Sequence, residues 1–227
     1  MIRKKFKIKE MNYIVGLNQI SLDLTQLMDL HNLKHDNEVL DYIFNLIEEI
    51  QKKYDESIVQ FLNDKFLLNQ DHLFSACYYT LKAFMDNINI SNKKNLELFL
   101  YLATQRQIKN GIKSFGIEIS NLKDGKLNFC IISSKNNLDK INYDILQKMN
   151  GVERNIDINH ITLEKFKRIK EFFKISENQI KSILSSYGFN LPKENEMVEN
   201  LQTLFLALHD LICEKMALLS LEKVKTN

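Results

Sequence analysis

Arg106, Lys109 and Lys113 recur at three- and four-residue spacing, so on an α-helix they share one face. A face of this kind neutralises phosphates. Its arginine can also stack on a base or fork onto a base edge, and the amides of Gln105 and Gln107 add donors and acceptors beside it. Ile108, Ile112 and Phe115 recur with the same spacing on the opposite side, which is the side expected to pack. The helix is expected to end at Gly116 in the left-handed conformation that glycine adopts at low cost. Lys93 and Lys94 enter from a polar break at 90–94, so five positive charges are expected to gather with Glu97 as the only intervening acid. On spacing alone a solvated surface helix is the better description of the same pattern, and both readings stay open at this point.

Little else in the chain has the makings of a reaction centre. There is no glycine-rich phosphate loop, no H-E-x-x-H, no paired C-x-x-C and no G-x-S-x-G, so neither catalysis nor a cofactor is expected. The five histidines are scattered; only His31 and His35 form a loose pair, and no metal site is expected. His72 reads as a packed residue at a helix start. Glu97 reads as a structural partner, since one acid cannot do acid–base work without a second group. Cys77, Cys130 and Cys213 each lie in an apolar run, as buried free thiols of a reducing compartment do, which points to the cytoplasm. The basic start MIRKKFKIKE is followed by no apolar segment of a signal peptide, and no run of about 18 apolar residues occurs, so secretion and membrane spanning are both disfavoured. With a formal net charge of +2, any nucleic-acid role must rest on a local patch.

The elements that must position the basic face follow from periodicity. In 227 residues, 44% of them hydrophobic, one proline and six glycines leave no linker, and residues 1–227 read as one domain. An apolar helix beginning near Leu96 leads into the basic one through a hinge near Ala103 and Thr104. Upstream, 11–21 alternates Tyr13, Val15 and Leu17 as a strand, 21–34 is illegible, and a helix from Asp36 to near Tyr54 carries Val39, Ile43, Leu46 and Ile50. The apolar run 57–62 reads as an inner strand, and Asn69 or Asp71 caps a helix through Leu73, Cys77, Leu81 and Phe84. Downstream come a turn at Asp124-Gly125, a strand at 127–133, a helix at 136–149, a strand within 153–160, and helices capped by Thr162 and Ser176. The first of those two carries Lys165, Lys167, Arg168, Lys170 and Lys174, read as a solubilising outer side. After a break at 187–192, residues 194–224 form a last helix with Leu201, Leu204, Leu208 and Leu211 on its stripe and an apolar surplus beyond it. The class is α/β, with α+β as the variant: helix-rich, a small mixed sheet covered by helices, and a long C-terminal helix.

Three segments add a resemblance. Residues 97–117, ELFLYLATQRQIKNGIKSFGI, with DHLFSA at 71–76 and EKMALLSL at 214–221, resemble in order the signature of the small tRNA-binding, kinase-binding regulatory subunits of the KEOPS complex, the TPRKB-like family. The resemblance implies an α/β fold and a subunit that does no catalysis itself. It implies docking on the kinase-like ATPase subunit of KEOPS through the C-terminal helix, for which Met216, Leu218 and Leu221 are the candidates, with other KEOPS subunits met only indirectly. It also implies recruitment of tRNA by its single-stranded 3′ end for threonylcarbamoyladenosine modification, with Lys93, Lys94, Gln105, Arg106, Gln107, Lys109 and Lys113 as candidates. The family's small pair at the hinge is often Ser-Gly; here it is Ala103-Thr104, so the approach of RNA to that backbone differs. Segments 21–54 and 187–199 are additions to the family pattern. The alternative is a helix-turn-helix DNA-binding regulator, because two short helices ending in a basic face suit a major groove; near-neutral charge and the absence of a dimer zipper count against it.

Overall fold

The computed structural model describes residues 1–224, with side chains through residue 221. It comprises two compact units, each assembled from two segments: Met1–Asp64 with Gly116–Ile156, and Lys65–Phe115 with Asp157–Asn227.

The first unit holds the sheet: β1 (Ile2–Ile8), β2 (Met11–Ser21), β3 (Ile58–Leu62), β4 (Lys126–Ser133) and β5 (Val152–Arg154). The order is β1-β2-β4-β3, and β5 continues the β1 side of β2 by pairing with its last residues. Helices α1 (Leu24–His31), α2 (Asp36–Lys53), α6 (Ile119–Lys123) and α7 (Leu138–Lys148) belong to this unit. Val39, Ile43, Leu46 and Ile50 of α2 and Ile141 and Ile145 of α7 close a core over Val59, Phe61, Phe129 and Ile131 of the strands. The α/β class and the helical cover are as expected from the sequence. Among the described residues every ladder is antiparallel, where a mixed sheet was expected. The chain leaves this unit after β3 and re-enters it at Gly116, and β3 and β4 pair antiparallel. β3 is buried at every position, which makes its run read as an inner strand, yet it ends the hydrogen-bonded order. The alternation in β1 is hidden by Arg3, Lys4, Lys5 and Lys7, the kind of charge that edge strands carry. In the segment 21–34, Asp23 caps α1 by accepting from the N–H groups of Thr25 and Gln26.

The second unit is helical: α3 (Gln70–Met85), α4 (Lys94–Ala103), α5 (Ile108–Phe115), α8 (Leu163–Phe172), α9 (Glu177–Ser186) and α10 (Leu201–Val224). Asn69 caps α3 through the His72 N–H, Thr162 caps α8 and Ser176 caps α9, as their sequence positions require. The last helix begins at Leu201, and Glu194–Glu196 forms a separate 3₁₀ turn before it. Leu204, Leu208 and Leu211 of α10 are buried, and the helix packs on α3, α8 and α9. Among the described residues, no helix is long and apolar enough to cross a membrane.

Candidate nucleotide-binding cavity

The helical hairpin α4–α5 is built from its backbone outwards. Thr104 takes the left-handed conformation, and the N–H groups of Thr104 and Gln105 return to the carbonyls of Tyr101 and Leu100, closing α4. Gln107 O accepts from Gly111 N–H and so starts α5. Gly111 permits the close approach of the two helices, because a Cβ there would stand 2.9 Å from Phe99 O. Gly111 and Phe115 are therefore the buried face of α5, whereas Ile112 is 43% exposed, contrary to the expectation that it packs. Gly116 ends the helix without the positive φ expected of it, which among the described glycines belongs to Gly125 and Gly188.

Three buried polar groups hold this hairpin. The Glu97 carboxylate accepts from Ile90 N–H (3.0 Å) and Ser91 N–H (2.6 Å), fixing the loop that leads into α4. His72 of α3 bonds Leu68 N–H through Nδ1 and Leu102 O through Nε2, each at 3.2 Å, and lies edge-on to Phe115 and Phe173. Burial pushes its ring down to about 3, so it is a neutral structural histidine. The Tyr101 hydroxyl meets Ser220 Oγ at 2.8 Å, tying α4 to α10, and burial pushes this phenol up to about 12.

At the hinge the second unit opens a cavity of about 490 Å³ lined by Thr104, Gln105, Arg106, Gln107, Asn110, Lys215, Leu218 and Leu219. Asn110 Nδ2 donates to Oε1 of Gln105 (3.1 Å) and of Gln107 (3.0 Å), fixing both amides. Two cationic side chains, Arg106 and Lys215, line it together with the apolar Leu218 and Leu219, and the N-terminal end of α5 begins directly after Gln107. Such a lining suits a ligand that joins an anionic group to a flat, partly apolar body.

The sequence candidates divide. Gln105, Arg106 and Gln107 line the cavity; Lys109 and Lys113 lie on the exposed face of α5 outside it. Lys93 and Lys94 do not join them. They lie at the start of α4, a ten-residue helix that at about 1.5 Å per residue puts them roughly 15 Å from the hinge, with Lys94 Nζ over the Phe84 ring at 5.8 Å. Asn110 and Lys215 were missed. Lys215 stands in the matched segment 214–221, where the apolar residues drew attention away from it.

Compared with known families, the chain matches the model of kinase binding protein CGI-121 over residues 31–220. The chain belongs to this family. It is the TPRKB-like family to which the three segments pointed. A search of curated proteins gave no match. Membership in the CGI-121 family makes this a kinase binding protein and lends nothing to the DNA-binding alternative. It also directs attention to the end of α10. Met216 is fully buried there, so in the free chain its side chain belongs to the core. Leu218 and Leu221 are 49% and 56% exposed, as expected for residues off the main stripe. Leu218 also belongs to the cavity wall.

Proposed function

We propose that this CGI-121 family member is a non-catalytic KEOPS subunit that binds the kinase-like ATPase subunit and delivers tRNA to it by the single-stranded 3′ end, for threonylcarbamoyladenosine (t6A) formation. The observation that carries this reading is the convergence of Gln105, Arg106 and Gln107 with Asn110, Lys215 and Leu218 on one cavity. A recess of that size takes one unstacked nucleotide, whereas a duplex is read along the length of a groove. Lys215 would meet phosphate, Arg106 would stack on or fork onto the base beside the amides of Gln105 and Gln107, and the exposed Lys109 and Lys113 would meet the backbone leading away from the terminus. Lys93 and Lys94 would act only on more distant phosphates.

The kinase-like subunit docks on the end of α10 through Leu218 and Leu221, with Met216 supporting them from inside. Other KEOPS subunits are reached through it, and ATP and metal chemistry stay with the partners. Residues 1–227 work as one domain in the cytoplasm, in keeping with a family match that runs through both units.

Binding is to be compared for intact tRNA, tRNA trimmed of its terminal nucleotides, and duplex DNA. Loss of one stacked base costs about 1–3 kcal/mol, so trimming should weaken binding about tenfold or more, and duplex DNA should not compete. Equal affinity for trimmed tRNA, or equal competition by duplex DNA, overturns the reading.

A further inference from the structure

β1 is an edge strand, paired with β2 alone. Residues 3–9 carry Arg3, Lys4, Lys5, Lys7 and Lys9, with no acid before Glu10. Strand alternation puts Arg3, Lys5 and Lys7 on one face. Across the ladder Arg3 meets Gly16, Lys5 meets Ile14 and Lys7 meets Asn12, so no acid of β2 offsets the row. Arg3 is ion-paired with Asp139 of α7, which sets the row on the α7 side of the sheet. Lys5 and Lys7 are exposed, and among the described residues neither is ion-paired. Two further exposed lysines flank them: Lys135 follows Ser133, which shares a ladder row with Ile14 and Lys5, and Lys140 follows Asp139.

Lysine on an edge strand also deters stray pairing, and a single charge can do that. A row of like charges repels itself, a cost that guarding the edge does not require. β1 lies outside the residues 31–220 matched to the CGI-121 family, so the row is a feature of this chain that the family match does not account for.

We propose that this row is a second RNA contact, a seat for the phosphate backbone of a tRNA stem, separate from the cavity that takes the 3′ end. It rests on the reading of the protein as a tRNA carrier. Alternate residues of a strand stand about 7 Å apart, close to the step between successive phosphates on one nucleic-acid strand. Because Asp139 neutralises Arg3, the contact centres on Lys5 and Lys7, with Lys135 and Lys140 at its flanks. No aromatic side chain stands between the cations on that face, so it meets charge and not bases, as a paired stem requires. An anionic membrane offers the same charge, but elements that lie on membranes set apolar side chains beside their cations, and between Arg3 and Lys7 this face has none.

The test is fluorescence anisotropy of the whole chain with tRNA trimmed of its terminal nucleotides, which presents the stem without the 3′ end, at about 50 and 200 mM salt. Lys5→Glu with Lys7→Glu should weaken this binding about tenfold and lower its salt dependence by about two counterion units. Lys34→Glu with Lys52→Glu, exposed positions near the two ends of α2, makes the same change in net charge and should alter affinity less than about twofold. Equal losses in both pairs, or no loss in the β1 pair, overturn the proposal. Where circular dichroism shows that the glutamates disturb the sheet, Lys5→Gln with Lys7→Gln removes the same contacts, and an unchanged salt slope there overturns it. Vesicles of phosphatidylserine are the second probe: a β1 pair that loses vesicle binding and keeps tRNA binding marks a membrane surface instead. The 3′-end reading fails separately, when intact and trimmed tRNA bind the unaltered chain equally, and the lysine pair is then still decided on either RNA. An unaltered chain that binds no tRNA overturns both.

Discussion

Lowering the pH from 7 to 5 should cost the protein stability through His72. The ring is fully buried, accepts at Nδ1, donates at Nε2, and is pushed by burial down to about 3, against about 6.5 in an unfolded chain. Above pH 6.5 the ring is neutral in both states and the stability is complete. Below that pH the unfolded chain binds a proton that the folded chain excludes, so stability falls by about 1.4 kcal/mol per pH unit until about pH 3. At pH 5 the loss is about 2 kcal/mol by the same linkage. Carboxylates begin to titrate in the same region, so His72→Gln serves as the reference: its amide offers an acceptor and a donor and does not ionise. Urea unfolding of both chains at pH 7 and pH 5 should show the original protein ahead at pH 7 and the gap narrowed by about 2 kcal/mol at pH 5. A gap that does not change with pH would refute the neutral buried ring.

Gly111→Ala gains about 1 kcal/mol of helix propensity but sets a Cβ 2.9 Å from Phe99 O, and overpacking of that kind costs about 1–3 kcal/mol. The net should be a loss of about 1 kcal/mol in urea unfolding, and a variant as stable as the parent would show that the two helices are not held so close. Reversing Arg106, Lys109 and Lys113 to Glu should weaken tRNA binding and lower its salt dependence by roughly one counterion unit per lost phosphate contact, as read from affinities between about 50 and 200 mM salt. An unchanged slope in the folded variant would remove these residues from the RNA path. Leu218→Arg and Leu221→Arg should each cost about 2 kcal/mol in calorimetric binding to the kinase-like subunit, with circular dichroism of the free chain unaltered. Normal binding by both moves the interface elsewhere.

The long periodic elements were legible because each rests on local chemistry. Asn69, Thr162 and Ser176 announce helix starts by the side-chain oxygen they offer to a free N–H, and Val39, Ile43, Leu46 and Ile50 announce α2 by recurring on one side. The signal failed where non-local pairing decides. β1 is a strand because its backbone pairs with β2 from Ile2↔Leu17 to Ile8↔Met11, and nothing in its run of lysines shows a partner. Strand direction likewise depends on where the chain goes between β3 and β4. At the candidate cavity, Gln105, Arg106 and Gln107 were readable as a contiguous motif, whereas Lys215 is 108 to 110 residues away in the chain and joins them only through the docking of α10, held in part by Tyr101 and Ser220. Periodicity placed Ile112 inside because isoleucine is apolar, but Gly111 won the inner position because only a residue without a side chain fits against Phe99.

Asn110 decides which atoms the hinge shows to a visitor. By giving its two N–H groups to the amide oxygens of Gln105 and Gln107, it takes one lone pair of each and ties the two amides together. Arg106 and Lys215 are donors at every polar atom of their charged heads, so the rim is weighted towards hydrogens, with the Thr104 hydroxyl and Asn110 Oδ1 among its few side-chain acceptors. Molecules are then sorted by their lone pairs. A group rich in bare oxygens and ring nitrogens is welcomed, whereas one that arrives carrying its own hydrogens leaves two donors facing each other. Asn110→Leu would free the two glutamines to rotate, and the cavity would lose that preference while keeping its charge.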